Sequence, residues 1–182
     1  MANVNTELTG RLVDAAAHIL VENGPGGLSL RKVAAAAGVS TMPVYTLFGD
    51  KQGLLDAMHR EGFLRLGAAL AAAPRTGDAL ADLGALGLAY RDAALASPHL
   101  YGLMFTSGFG HTEAADATYR PLVAAVARCQ ADGVFAGNDP EPVALHLWAL
   151  AHGLVSLELG GKITGESYAE QLTYASLAFL RR

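Results

Sequence analysis

The stretch Leu28-Ser29-Leu30-Arg31-Lys32-Val33-Ala34-Ala35-Ala36-Ala37-Gly38-Val39-Ser40-Thr41-Met42-Pro43-Val44-Tyr45-Thr46-Leu47-Phe48, followed by Gly49-Asp50-Lys51, decides how this chain is read. It predicts a helix, a tight glycine turn and a second helix. Ser29 stands where an N-cap belongs, and Leu30, Val33, Ala34 and Ala37 recur at helical spacing up to Gly38. Gly38 falls where the chain needs a left-handed residue to leave the first helix. Val39 then covers the turn and Ser40 caps the next helix at once, which holds one helix across the other. Pro43 is the third residue of that helix, where no intrahelical donor is needed. Val44 and Phe48, four apart, point inward and leave Thr41, Met42, Tyr45 and Thr46 on the outer side.

Working outward, the pattern stays helical. Upstream, Leu12, Ala15, Ala16, Ile19 and Leu20 mark one face of a helix over Leu8 to Val21, with Thr6 as its N-cap and Asn23-Gly24-Pro25-Gly26-Gly27 as its stop. Downstream, Asp50 caps a helix from Lys51 to about Ala73, before Pro74. Further helices are expected over 77–97, 98–106, 120–132, 140–159 and 166–181, separated at Pro and Gly clusters. The fold class is therefore all-α, about nine helices. A three-helix N-terminal domain over residues 1–50 carries the helix-turn-helix, and a helical domain spans 51–182.

Composition bounds the rest. The chain has 182 residues, 52% hydrophobic and 16% charged, enough for a buried core and too apolar for general disorder. One cysteine, Cys129, excludes a disulfide framework and a cysteine-based zinc site. The reading is of a globular, cytoplasmic protein with neither a signal peptide nor a membrane span. The net charge of −4 argues against a coating protein of the histone kind, but not against nucleic-acid binding by one small face. Residues 24–60 carry an excess of two positive charges, from Arg31, Lys32, Lys51 and Arg60 against Asp50 and Asp56. Residues 1–23 are negative by the same amount.

A two-turn helix whose outer face carries hydroxyls and small apolar groups suits the major groove of DNA. Tyr45 can donate to a phosphate oxygen, Thr41 can reach a phosphate or a base edge, and Thr46 or Met42 can touch a thymine methyl. Lys51 brings a cation and helix N-terminal N–H groups to the backbone. With two cations per subunit on phosphates, a dimer neutralises four, and log affinity falls with log salt at a slope of about −3.6.

The pattern Gly24, Leu28-Ser29-Leu30-Arg31, Val33-Ala34, Ala37-Gly38-Val39-Ser40, Val44-Tyr45, Phe48, Lys51 and Leu54-Leu55 resembles the N-terminal domain of TetR-type (tetracycline-repressor-like) transcriptional regulators. The resemblance covers about residues 8–60. It implies that Ser29, Arg31, Ser40, Thr41, Met42, Pro43, Tyr45, Thr46 and Lys51 face the groove or the phosphates. The chain departs from the family after the tyrosine, where a polar pair such as Arg-His is usual and Thr46-Leu47 stands instead. One expected cation and one expected donor are missing, which makes base readout unusually apolar.

In the second half, Val143 to Leu159 is apolar around most of its circumference, while His146, His152 and Glu158 make a membrane costly. A small stripe (Ala149, Gly153, Ser156, Gly160) and a large one (Leu145, Trp148, His152, Val155, Leu159) suit a helix packed between two layers. With the stripe Tyr168, Leu172, Ala175 and Phe179 of the last helix, this predicts a four-helix bundle with a second copy. The expected interface residues are Leu145, Ala149, Gly153, Ser156, Leu157, Tyr168, Leu172, Ala175 and Phe179. The segments around Trp148, His152-Gly153 and Ser97 to Phe105 resemble a TetR subgroup with a Trp-His-Gly signature in its C-terminal domain. A symmetric dimer places two recognition helices about 34–36 Å apart, on successive major grooves.

Phe63, Tyr90, Met104, Phe105, Phe109, Tyr119, Trp148 and His152 are candidates for a mostly apolar effector site, with core packing the competing reading of each. A ligand wedged near Phe63 and Tyr90 is expected to tilt the helix from Lys51 and change the spacing of the recognition helices. His146 and His152, six apart, do not share a helix face, and no metal or other cofactor is expected. No His-Glu-x-x-His, phosphate loop, Rossmann glycine pattern or nucleophile elbow occurs, so no enzyme is predicted. The expected function is a repressor that leaves operator DNA when a small hydrophobic effector binds. The alternative is a helical ligand-binding or interaction module without DNA binding.

Overall fold

The computed structural model describes residues 2–105, 113–135 and 139–179, with side chains undescribed at 2–5 and 175–179. These residues form nine helices and no strand: α1 (Ala2–Gly27), α2 (Leu30–Ala36), α3 (Thr41–Phe48), α4 (Lys51–Ala71), α5 (Ala79–Ala96), α6 (Pro98–Met104), α7 (Glu113–Ala131), α8 (Glu141–Leu159) and α9 (Gly165–Phe179). Two starts differ from the sequence expectation. Thr6 lies inside α1 and does not cap it, because helical backbone already begins at Ala2. The α7 helix begins at Glu113, seven residues before the expected start, and runs through Pro121. Burial of Ala125, Val126 and Cys129 on one face of α7 outweighs the interior proline, which by local rules alone marks a boundary. The chain does break where expected at Gly24, which adopts φ 63° before the Pro25 turn.

The helices form two compact units. The first comprises residues up to Leu64 together with α6. Its core joins Leu12, Val13 and Ala16 of α1, Leu30, Val33 and Ala34 of α2, Val44 and Phe48 of α3, Leu54 and Met58 of α4, and Leu100 and Leu103 of α6. The division by compactness therefore falls beyond residue 50: Leu54 and Met58 are fully buried in the core of the helix-turn-helix. The same contacts draw in α6, nearly fifty residues further along, which no local pattern signals.

The second unit comprises Arg65–Ala96 with α7, α8 and α9. Its core is Ala79 and Leu83 of α5, Ala125, Val126 and Cys129 of α7, Phe135, and Ala144 and Leu147 of α8. The α8 helix is long and apolar enough to cross a membrane by length and composition. It buries Ala144, Leu147, Ala151, Leu154 and Val155 in its own unit. The opposite face, Leu145, Ala149, Gly153, Ser156 and Leu157, is exposed.

Candidate nucleic-acid interface

The turn between α2 and α3 is closed mainly by backbone. Gly38 takes φ 68°, its N–H reaches the Ala35 carbonyl (3.2 Å), and the Val39 N–H reaches back to Ala34 (3.0 Å). This paired closure satisfies two carbonyls that the helix end leaves open. Arg11 of α1 donates Nη2 to a third, Ala37 O, at 2.9 Å. At the other end of α2, the Lys32 N–H donates to Ser29 Oγ at 3.4 Å. Ser40 precedes α3 in extended conformation, with no side-chain cap bond of its own.

From this turn α3 is held by its inner side. Val44 is fully buried and Phe48 nearly so, while Pro43 and Leu47 are half-buried. Thr41, Met42, Tyr45 and Thr46 stand together on the opposite side; Met42 is 74% exposed and Tyr45 46%. Thr46 Oγ1 donates to the Met42 carbonyl at 3.0 Å. The α3–α4 junction is equally constrained. Gly49 has φ 72°, and Asp50 Oδ1 accepts from the Gly53 N–H at 2.9 Å, capping α4. A Cβ at Gly53 would run into the Phe48 carbonyl oxygen, so only glycine fits. Lys51 is half-buried, and its ammonium donates to the Pro25 carbonyl. Arg31 and Lys32 are exposed on α2.

The structure thus brings the nine residues Ser29, Arg31, Ser40, Thr41, Met42, Pro43, Tyr45, Thr46 and Lys51 to the α2–α4 segment, six of them exposed. Ser29, Pro43 and Lys51 are half-buried and carry local structure as well as any contact. Sequence reasoning missed Arg11 and the glycine at position 53. Both matter through contacts with backbone carbonyls, which leave no side-chain signature.

Residues 12–58 match the family described as bacterial regulatory proteins of the tetR family, and residues 83–179 match the tetracyclin repressor-like C-terminal domain. The second match alone spans more than half of the chain. The chain belongs to the TetR family. It is a DNA-binding transcriptional regulator, and the helix-turn-helix just described is the TetR DNA-binding element. Among solved structures, a protein of unknown function from Rhodococcus sp. RHA1 is 37% identical, over 96% of this chain and 94% of that one, with a TM-score of 0.77. The TetR family transcriptional regulator PfmR from Thermus thermophilus shares the fold at 21% identity, over 94% and 100% of the two chains (TM-score 0.76). A bacterial regulatory protein in the tetR family from Rhodococcus RHA1 does so at 21%, over 94% and 96% (TM-score 0.77). No curated protein matches the sequence significantly.

The effector candidates of this TetR chain divide between its two units. In the first, Phe63 and Phe105 meet edge to face at 6.0 Å between centroids, and Phe105 meets Tyr101 at 5.1 Å. Met104 packs so closely on Gly62 that a Cβ there would clash. In the second, Tyr119 meets Trp148 at 5.8 Å and Trp148 lies 6.4 Å from the His152 ring. The Tyr90 hydroxyl is 3.3 Å from His152 Nδ1. Burial holds the His152 pKa below the ordinary imidazole value, favouring the neutral ring. Phe109 lies outside the described residues.

Of the nine expected dimer positions, Leu145, Ala149, Gly153, Ser156 and Leu157 are exposed on one face of α8. Tyr168 is a correction. It is fully buried within its own chain, donating to the Gly87 carbonyl at 2.8 Å under the Arg91 guanidinium, 5.7 Å from its ring. Leu172 likewise is half-buried and sits on α5 at Gly87. An apolar stripe on α9 marks a buried face, but spacing does not say which chain buries it. The side chains of Ala175 and Phe179 lie outside those described. Tyr174, which the stripe left out, is 72% exposed.

No local pattern announces the clamp beside Tyr168. Arg91 of α5 holds Glu158 of α8 with both prongs, Nε to Oε2 at 2.6 Å and Nη2 to Oε1 at 2.5 Å, and also touches Asp92. This pairing lowers the Glu158 pKa below the ordinary carboxylate range.

Proposed function

We propose that this regulator acts as a cytoplasmic homodimeric repressor, without catalytic activity, that leaves its operator when a small hydrophobic effector binds. The observation that carries the DNA half of this reading is the division of α3. Val44 and Phe48 lock one side into the core, while Thr41, Met42, Tyr45 and Thr46 are presented to solvent as a set. Tyr45, Thr41, Ser29, Ser40 and Arg31 engage phosphates or base edges, Met42, Pro43 and Thr46 line the base side, and Lys51 approaches the backbone at the start of α4. The exposed face of α8 and the exposed Tyr174 of α9 meet a second copy. His146, His152 and Glu158 make lipid an expensive alternative. Tyr90, Tyr119, Trp148 and His152 offer an effector apolar rings with two hydroxyls and one imidazole, the composition of a ligand site. An effector acts only by favouring one of two conformations of the dimer.

The test is a fluorescence titration of the protein against DNA from upstream of its own gene. Tyr45→Ala and Lys51→Ala are each expected to weaken binding about tenfold, the worth of roughly one charged hydrogen bond. Unchanged affinity in both variants overturns the assignment of these contacts. A monomer by light scattering at micromolar concentration overturns the dimeric mechanism.

A further inference from the structure

Three observations on α3 bear on how it distinguishes bases. None of its eight side chains is charged or carries an amide. The two-pronged hydrogen bonds by which Arg or Lys selects guanine, and Asn or Gln selects adenine, are therefore unavailable from this helix. Met42, on the outer face, leaves a long thioether side chain 74% exposed to water. One turn on, the Thr46 hydroxyl donates to the Met42 carbonyl, which turns it back onto its own helix and leaves the γ-methyl as the outward group.

We infer that Met42 and Thr46 form an apolar pair that reads the C5-methyl group of thymine in the major groove. Base selectivity from α3 is then a matter of methyl shape, and hydrogen-bond pattern contributes little. This inference rests on α3 being the groove element, as proposed above. Thr41 and Tyr45, on the same face, hold the helix on the backbone through hydroxyl bonds to phosphates. Both reading side chains are exposed, so neither is needed for the core, and their variants are expected to fold.

The experiment begins by selecting bound duplexes from a randomised DNA library with the full-length protein. The selected duplex is then remade with uracil replacing thymine one position at a time, which deletes only the methyl. At the contacted thymines this is expected to weaken binding roughly fourfold, the worth of one buried methyl-sized group. Met42→Ala removes the thymine–uracil difference at its position. Thr46→Val retains the wild-type affinity and Thr46→Ser loses the methyl effect, because the methyl and not the hydroxyl is the reading group. If uracil is neutral throughout while Met42→Ala and Thr46→Ser still weaken binding, α3 enters the groove but does not read methyls, and the inference fails. If Met42→Ala, Thr46→Ser and Tyr45→Ala all leave affinity unchanged, the placement of α3 in the groove fails with it.

Discussion

The α2–α3 turn and the meeting point of α5, α8 and α9 both hold helices at a fixed angle, with different materials. The first uses glycine backbone and bonds between near neighbours, Gly38 to Ala35 and Val39 to Ala34. The second uses polar side chains far apart in the chain. Arg91 and Glu158 are 67 residues apart, Tyr168 and Gly87 are 81, and Tyr90 and His152 are 62. A turn made of backbone geometry is insensitive to pH and intolerant of an added Cβ. A clamp made of ionisable side chains is the reverse. The helix-turn-helix is thus set by backbone geometry, and the second unit joins its helices through titratable groups.

The largest effect expected from this contrast is at the backbone-built side. Gly53→Ala forces a Cβ against the Phe48 carbonyl, and is expected to cost about 2 kcal/mol or more. In a protein of this size that lowers Tm by roughly 4–8 °C in a thermal melt, with DNA affinity falling in parallel. An unchanged Tm would show that the α3–α4 junction yields easily, and the contrast would lose its rigid half.

At the clamp, Glu158→Ala leaves the Arg91 guanidinium without its two-pronged partner and is expected to cost about 1–2 kcal/mol. The pH dependence carries a definite sign. Because the folded pKa of Glu158 is depressed, the stability from pairing is fully present above the unfolded value of about 4.3 and disappears as pH falls through the lower folded value. Denaturant titrations between neutral and acid pH should show this loss in the wild type and a shallower one in Glu158→Ala. Parallel curves would assign the acid sensitivity elsewhere.

Gly38→Ala places a side chain at φ 68° with open space around it, so only backbone strain contributes, about 1 kcal/mol. A chemical melt resolves this from the larger loss at Gly53 and separates strain from collision within one motif.

The smallest effect belongs to His152. Its folded pKa is lowered by burial, so the unfolded chain takes up a proton first as pH falls below about 6.5. Stability falls from that pH downward, and His152→Phe is expected to remove the slope while changing neutral-pH stability little. A slope that survives the substitution would place the titrating group outside the Tyr90–Trp148 cluster.

The legibility of the chain follows the same division. Ser29, Gly38, Val44 and Phe48 are readable because capping, a left-handed turn and a four-residue spacing are relations between neighbours, whereas Ser40 stands at the start of α3 without the side-chain cap bond expected of it. The outward set of Thr41, Met42, Tyr45 and Thr46 follows from the same spacing. The role of α6 in the first core, the Arg91–Glu158 clamp and the inward turn of Tyr168 and Leu172 are illegible, since periodicity names a buried face without naming what buries it. The α7 start is equally hidden, because Pro121 counts as a breaker only until tertiary packing outweighs it.

Sequence by itself determined the all-α class, the helix-turn-helix and the solvent-facing set on α3, all consequences of steric and hydrogen-bonding rules that act within a few residues. Tertiary structure alone decided which distant polar groups pair, where the chain divides into compact units, and which apolar stripes close on the chain itself. Those outcomes depend on free energies of burial between segments dozens of residues apart, and no local pattern encodes them.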